Sequence, residues 1–325
     1  MAKLTQRLIR ANGLDLHLTE QGSGPLVLCC HGFPETSYAW RHQLAALAEA
    51  GYHAVAPDLR GYGGSDCPDD VGAYRVLDSI GDLVALLDVL GKQNAVIVGG
   101  DWGGTIAWQA ARLRPDRFRA VAALGVPMMG RAPAAPSQLF PKMEQAWFYT
   151  HYFCEPGLAE KQLDADVATA LRKIYFAASG DAGRRDLPET PNPFGMLPRH
   201  TSLPDALPEP PGPLSWLPAA DLDVFIEAFK KSGFHGGLNY YRNMDRNWAD
   251  EAAFEGKLVE VPAMYLVGER DTGLAIPGMT DIIAAMPALV PDLRTARVIP
   301  NAGHWLQQEA ADAVNSALIG FLHTL

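Results

Sequence analysis

The chain alternates short apolar runs with segments in which apolar residues recur at helical spacing. The apolar runs, bounded by turn residues, predict strands at 7–11, 14–19, 26–30, 53–57, 96–98, 120–124, 263–267 and 295–299. The helical spacing predicts helices around Leu44, over 74–90, directly after residue 101 and near 310–322. Such alternation is typical of an α/β fold, a mostly parallel sheet with helices on both faces.

The alternation breaks after Pro127 and resumes near residue 263. The residues between hold aromatics, helical stretches and a proline-rich tract, for which we expect extended, irregular structure. The prolines of that tract are Pro188, Pro191, Pro193, Pro198, Pro204, Pro208, Pro210, Pro211 and Pro213. The simplest interpretation is one sheet domain built from residues 1–127 and 255–325, with a mostly helical lid at 128–254 inserted in it.

Composition narrows the class of protein. The 325 residues are 48% hydrophobic, enough for a large core, and carry a net charge of −10. Without a basic stripe no nucleic-acid partner is expected, and without an apolar run of about 18 residues no membrane span is expected. The polar start, 1–7, lacks the apolar stretch of a signal peptide. Of the four cysteines, Cys29 and Cys30 are adjacent in an apolar run, which favours buried thiols and a cytoplasmic protein.

The most informative tract is Val96-Ile97-Val98-Gly99-Gly100-Asp101-Trp102-Gly103-Gly104. A β-branched run ends in a tight glycine turn and a helix follows at once, which is the layout of a nucleophile elbow. The residue at its tip is usually Ser, and here it is Asp101. A carboxylate can displace a leaving group from saturated carbon and leave an alkyl ester on the enzyme. The alternative is a loop at the end of the sheet that happens to carry an Asp.

Two further residues lie where an elbow nucleophile needs partners. Asp271 follows the strand predicted at 263–267, and His304 follows the one at 295–299. Both therefore fall at the carboxyl ends of strands, where open α/β sheets place ligands. The order nucleophile, acid, histidine is that of the α/β-hydrolases. Taken singly, each has a plainer interpretation, as a turn-capping Asp and as a surface or packing His.

The turn His31-Gly32-Phe33-Pro34 directly follows the apolar run at 26–30. Attack of water on an ester passes through a tetrahedral oxyanion, which needs hydrogen-bond donors. We expect the backbone N–H groups of Phe33 and Trp102 to supply them. The alternative is an ordinary strand-to-helix turn in which Pro34 ends the strand.

Together these motifs resemble those of the soluble epoxide hydrolases of the α/β-hydrolase superfamily. The matching segments are His31-Gly32-Phe33-Pro34-Glu35, Asp58-Leu59-Arg60-Gly61-Tyr62-Gly63, Gly100-Asp101-Trp102-Gly103-Gly104, Phe153-Cys154-Glu155-Pro156-Gly157, residues 229–244 and Gly303-His304-Trp305. The resemblance covers nearly the whole chain and weakens in the proline-rich tract. It implies the α/β-hydrolase fold with an inserted helical lid, and conversion of an epoxide to a vicinal diol.

The resemblance also implies a role for each site residue. Asp101 would be the nucleophile, His304 the base that activates water, and Asp271 the acid that orients the histidine. Two lid tyrosines, Tyr149 and Tyr241, would bind the epoxide oxygen, because tyrosine is protonated at neutral pH and can donate to the developing alkoxide. The implied substrates are a small apolar epoxide and water, without a cofactor or metal, and we expect a monomer or homodimer.

Some alternatives stay open. A haloalkane dehalogenase uses the same elbow and retains a Trp after the nucleophile, as Trp102 is here, but Phe33 replaces its usual Asn donor. A ligand receptor with a hydrolase fold is the alternative from another class. Tyr152 and Tyr240, neighbours of the two assigned tyrosines, are expected to be packing residues. Glu35 could hold or relay water, or could equally be a surface charge.

Overall fold

The computed structural model describes residues 3–184 and 190–325. In this part of the chain the strands are β1 (Thr5–Ala11), β2 (Leu14–Gly22), β3 (Leu26–Cys30), β4 (His53–Pro57), β5 (Ala95–Gly100), β6 (Phe118–Leu124), β7 (Ala146–Phe148), β8 (Met196–Pro198), β9 (Ala263–Gly268) and β10 (Leu293–Ile299). Eight of these form one sheet in the order β1-β2-β4-β3-β5-β6-β9-β10, and β7 pairs with β8.

The described α-helices alternate with the strands of the large sheet and fill the segment between β6 and β9. They are α1 (Arg41–Glu49), α2 (Val76–Val89), α3 (Trp102–Leu113), α4 (Pro136–Leu139), α5 (Tyr149–Cys154), α6 (Leu158–Leu163), α7 (Val167–Ala178), α8 (Leu203–Ala206), α9 (Ala219–Ser232), α10 (His235–Arg242), α11 (Met244–Asp250), α12 (Met279–Ala285), α13 (Leu306–Glu309) and α14 (Ala311–Leu322). Short 3₁₀ turns occupy Ser37–Trp40, Val71–Tyr74, Asp164–Asp166, Gly180–Ala182, Glu251–Phe254, Thr272–Ala275 and Met286–Ala288.

The large sheet is mostly parallel, as the alternating pattern predicted. Only the pairs β1–β2 and β2–β4 within it are antiparallel in the described residues. The first pair is a hairpin whose turn residues Asn12 and Gly13 both have positive φ, 50° and 79°, the requirement of a type I′ turn. All five residues of β3 are buried, which explains its unbroken apolar sequence. Helices α1 and α14 pack together, as do α2 and α3, so helical layers cover the sheet.

Residues 125–262 leave the large sheet between β6 and β9 and carry α4 to α11 and the β7–β8 pair. We call this segment the helical insertion. The division into a core of 1–127 and 255–325 and a lid of 128–254 stays a prediction. Within the proline-rich tract, β8 and α8 are regular elements that the sequence did not predict. Helix α8 forms because Ser202 caps it by accepting the N–H of Asp205 at 3.2 Å.

Other departures from the predictions are small. The helix predicted over 74–90 spans Val76–Val89, and Tyr74 belongs to a 3₁₀ turn. Of the residues discussed above, Met1, Ala2 and Pro188 lie outside the described residues. Cys29 and Cys30 are buried free thiols, as predicted. No helix in the described residues combines the length and apolar character needed to cross a membrane.

Candidate active site

Asp101 occupies the turn between β5 and α3 with φ 51° and ψ −125°, a backbone conformation that is rare for a residue with a side chain. The flanking glycines make this turn possible. A Cβ on Gly99 would lie 2.0 Å from the carbonyl oxygen of Gly103, and one on Gly103 would lie 2.0 Å from that of Cys30. The predicted strand–turn–helix elbow is therefore present, with the carboxylate at its tip.

The turn after β3 contacts the Asp101 carboxylate directly. The backbone N–H of Phe33 donates to Oδ1 of Asp101 at 2.7 Å. A Cβ on Gly32 would lie 2.2 Å from the same oxygen, so only glycine allows this approach. Trp102 is the first residue of α3, and its backbone N–H therefore has no acceptor within the helix. The N–H of Phe33 thus binds the carboxylate, and the N–H of Trp102 directly follows Asp101 in the chain.

Buried His31 fixes that turn, a role for which the sequence carried no signal. Its Nε2 accepts the backbone N–H of Leu59 at 3.0 Å, so Nδ1 carries the proton and donates to the carbonyl of Gly32 at 2.9 Å. Burial lowers the pKa of His31, although Asp58 and Asp101 oppose that shift. The neutral His31 ring thus links the backbone of Leu59 to that of Gly32, the residue before Phe33.

Asp271 and His304 complete a hydrogen-bonded chain to the elbow. Asp271 follows β9, is 1% exposed, and its Oδ1 lies 3.1 Å from Nδ1 of His304. His304 follows β10, and its Nε2 lies 3.3 Å from Oδ2 of Asp101. Burial lowers the pKa of His304, but the charges and hydrogen bonds of Asp271 and Asp101 outweigh it and leave the pKa well above its usual value. The two carboxylates therefore favour the protonated form of His304.

Tyr149 at the start of α5 and Tyr241 in α10 face the same cavity as Asp101 and His304. The two ring centroids are 6.0 Å apart. Burial, together with the charge of Asp101, raises the pKa of both phenols. Both hydroxyls therefore keep their protons over the whole physiological range and can act as donors.

The neighbouring tyrosines point elsewhere. The hydroxyl of Tyr152 donates to Oε1 of Gln162 at 2.6 Å, and that of Tyr240 donates to the carbonyl of Arg60 at 3.1 Å. Neither residue lines the cavity that contains Asp101. Their places agree with the expectation that they are packing residues.

The cavity around these groups has a volume of about 400 Å³. Its walls beyond the polar residues are mainly apolar and come from both the sheet loops and the helical insertion. Examples are Trp108, Met128, Phe148, Phe194, Ile276 and Met279. Such a space fits a small apolar ligand. In residues 3–184 and 190–325, no group of three or more His, Cys, Asp or Glu side chains is arranged to hold a metal ion.

Glu35 is buried rather than a surface charge, so that alternative was wrong. It is 1% exposed, and its carboxylate accepts hydrogen bonds from Nε2 of Gln307 and Gln308, both at 2.8 Å. Burial raises the pKa of Glu35 to about 7, an effect opposed by nearby His304 and increased by Asp101. A sequence pattern could not find this burial, because the two glutamines come from a helix some 270 residues away.

Comparison with known proteins agrees with this geometry. The family model for the alpha/beta hydrolase fold matches residues 25–311. Epoxide hydrolase A of Mycobacterium tuberculosis (strain ATCC 25618 / H37Rv) is 42% identical over 327 residues, which cover 99% of this chain and 98% of that protein. Epoxide hydrolase 1 of Siraitia grosvenorii is 40% identical over 326 residues, which cover 99% of each.

A solved structure gives the same result. That of an epoxide hydrolase from an endophytic Streptomyces has a TM-score of 0.93 and 42% sequence identity, covering 98% of this chain and 95% of that one. These relatives are named epoxide hydrolases, which favours that activity over the dehalogenase and receptor alternatives. The chain therefore belongs to the α/β-hydrolase family and, within it, is an epoxide hydrolase.

Proposed function

We propose that this epoxide hydrolase works through a covalent ester on Asp101, which water activated by His304 then hydrolyses. The observation that carries the proposal is the pair of contacts made by the two oxygens of the Asp101 carboxylate. Its Oδ1 is held by the N–H of Phe33 at 2.7 Å, while Oδ2 faces His304 at 3.3 Å. A carboxylate on the cavity wall, with one oxygen anchored by a backbone N–H, is suited to attack carbon.

In the first step Oδ2 of Asp101 attacks one epoxide carbon. The new carbon–oxygen bond forms as the strained one breaks, and the electron pair moves onto the epoxide oxygen. Tyr149 and Tyr241 donate hydrogen bonds to that oxygen, and one of them transfers its proton. This assignment is supported by their position on the cavity and by the raised pKa of both phenols.

In the second step water attacks the ester. Esterification removes the negative charge of Asp101, which is one of the two charges that raise the pKa of His304. The imidazolium then gives up its proton more readily, and this proton returns to the tyrosinate left by the first step. The neutral Nε2 takes a proton from water, the hydroxide adds to Cγ of Asp101, and the N–H groups of Phe33 and Trp102 bind the oxyanion. Collapse expels the diol alkoxide, which takes the proton from His304. Asp101 is left as a carboxylic acid, and its proton passes to Nε2 of His304, which restores the resting site. Asp271 holds the imidazolium throughout.

The proposal also includes a substrate class, a lid, a cellular location and an assembly. The apolar cavity walls support a small apolar epoxide as substrate. The helical insertion supplies both donor tyrosines, which supports its role as a lid with the proposed limits 128–254. The four free cysteines support a cytoplasmic location, and the proposed assembly is a monomer or homodimer.

The covalent step is tested by isotope labelling. In a single turnover in ¹⁸O-water, the diol should stay unlabelled, since its second oxygen comes from Asp101 and not from water. After many turnovers, peptide mass spectrometry should find ¹⁸O in Asp101. Label in the diol of the first turnover would mean direct attack by water and would exclude the ester.

A further inference from the structure

Glu309, the last residue of α13, binds the chain on both sides of His304. Its Oε2 accepts the backbone N–H of Gly303 at 2.8 Å, and its Oε1 accepts that of Trp305 at 2.9 Å. The same Oε2 accepts the N–H of Gly180, in the helical insertion, at 2.7 Å. The Glu309 carboxylate thus links Gly303 and Trp305, the two neighbours of His304, to Gly180, which precedes Glu309 by 129 positions.

Gly180 is held from its other side as well. Its carbonyl accepts a hydrogen bond from Nη1 of Arg270 at 3.0 Å, and Arg270 directly precedes Asp271. A Cβ on Gly180 would lie 2.0 Å from the carbonyl oxygen of Asn301, so this close approach requires glycine. Gly180 therefore links the insertion to both loops, the one that carries His304 and the one that carries Asp271.

The backbone of His304 is part of the same contact. Its N–H donates to the carbonyl of Ala178, the last residue of α7, at 3.0 Å. A Cβ on Gly303 would lie 2.4 Å from the backbone nitrogen of Gly180, so the two segments pack backbone against backbone. Charged acceptors bind N–H groups more strongly than neutral ones. Glu309 supplies the charged acceptor for the N–H groups of Gly180, Gly303 and Trp305.

We propose that Glu309 is a positioning residue, which holds His304 in its working orientation and fixes the helical insertion against the histidine loop. Glu309 does not line the cavity, so it acts through His304 and not on the substrate. The inference rests on the proposed role of His304 in ester hydrolysis. Burial raises the pKa of Glu309 to about 7, and the three N–H donors oppose that shift by stabilising the carboxylate.

This role predicts an unequal effect on the two chemical steps. Ester formation uses Asp101 and the tyrosines, whereas ester hydrolysis uses His304. In Glu309→Gln the side chain keeps its size, but an NH₂ group must face a backbone N–H. We expect ester hydrolysis to slow by about 10- to 100-fold, the cost of a misplaced catalytic group, while ester formation changes little.

The experiment measures both rates by rapid mixing and quenching, with the ester detected by intact-protein mass spectrometry. Glu309→Gln should accumulate ester that wild type does not, and Glu309→Asp, which keeps the charge on a shorter side chain, should be intermediate. The matched control is Asp82→Asn. Asp82 is a buried carboxylate bound to Arg60 and Asn12, outside the site, and its loss should leave the ratio of the two rates unchanged.

An unchanged ratio in folded Glu309→Gln, or a parallel fall of both rates as expected from general destabilisation, would overturn the inference. If Glu309→Gln does not fold, Glu309→Asp is judged by the same ratio. Wild type serves as the internal check of the mechanism. If Asp101 of wild type takes up no ¹⁸O from labelled water over many turnovers, the covalent mechanism itself fails, whereas label in Asp101 with an unaltered ratio in the variants rejects only the role of Glu309.

Discussion

Removing the hydroxyls of Tyr149 and Tyr241 tests the part of the mechanism that is specific to an epoxide. The leaving group of an epoxide is an alkoxide, which develops in a cavity that is mainly apolar. Tyr149→Phe and Tyr241→Phe each delete one donor and keep the ring, which packs against other aromatic rings of the site. We expect each variant to slow ester formation and to leave ester hydrolysis nearly unchanged.

The expected magnitude follows from the strength of one such hydrogen bond. A bond to a charged group contributes about 1.5–3 kcal/mol, and donors aimed at developing charge in a dry site reach about 4 kcal/mol. At about 1.4 kcal/mol for each factor of ten, each single variant should lose one to three orders of magnitude. The double variant should lose more than either one, but less than the product, because both donors act on one atom.

The assay is the pre-steady-state rate of ester formation, followed by the fluorescence of Trp102, whose ring lies 5.2 Å from that of Tyr241. Tyr152→Phe and Tyr240→Phe are the matched controls, since their hydroxyls bind Gln162 and the carbonyl of Arg60 outside the cavity. Each control should lose about 1 kcal/mol of stability with its buried hydrogen bond and should keep its rate of ester formation.

Two results would refute the reasoning in different ways. If Tyr152→Phe or Tyr240→Phe slows ester formation as much as expected for the assigned pair, the wrong tyrosines bind the epoxide oxygen. If none of the four single variants slows it, no tyrosine protonates the leaving group. A displacement like that of a dehalogenase would then account better for the site.

A variant of His304 and the pH dependence of ester hydrolysis test the role of His304 as the base. His304→Gln should form the ester and hydrolyse it slowly, so excess substrate should add the mass of one substrate to the protein; a folded variant that stays unmodified would contradict the role of His304. Ester hydrolysis needs neutral His304, so its rate should rise with pH to a plateau. The pKa that governs it should lie below the raised pKa of His304 in the free enzyme, because esterification neutralises Asp101. Equal values in ester decay and in NMR titration of free enzyme would refute this.

The sequence could predict those features that depend on residues close together in the chain. The Asn12-Gly13 turn and the glycine-rich elbow are set by backbone geometry within a few residues, so the hairpin and the strand–turn–helix around Asp101 could be found directly. The apolar runs located the central strands β3, β5 and β9 because every residue of these strands is buried. The ends of the predicted strands then indicated that Asp271 and His304 lie near Asp101. In the structure His304 lies beside Asp101, and Asp271 lies beside His304.

Features that depend on distant contacts could not be predicted. The burial of Glu35 is created by Gln307 and Gln308, and the contacts of Glu309 depend on a turn in the helical insertion. In the sequence both residues look like ordinary charged positions. Strand β8 exists because it pairs with β7, and three residues in a proline-rich tract carry no periodicity that could reveal it.

The chemistry of this site is divided between two parts of the chain, which makes their relative position decisive. Asp101, Asp271 and His304 follow strands of the large sheet, whereas both tyrosines belong to the helical insertion. Attack on a carbon and protonation of its leaving oxygen occur on opposite sides of the substrate, so a shift of the insertion would spoil the alignment of both. The hydrogen bonds of Gly180 to Glu309 and Arg270 join the insertion to the loops of His304 and Asp271. Under the proposed mechanism, this contact both contributes to aligning the two parts and holds the base.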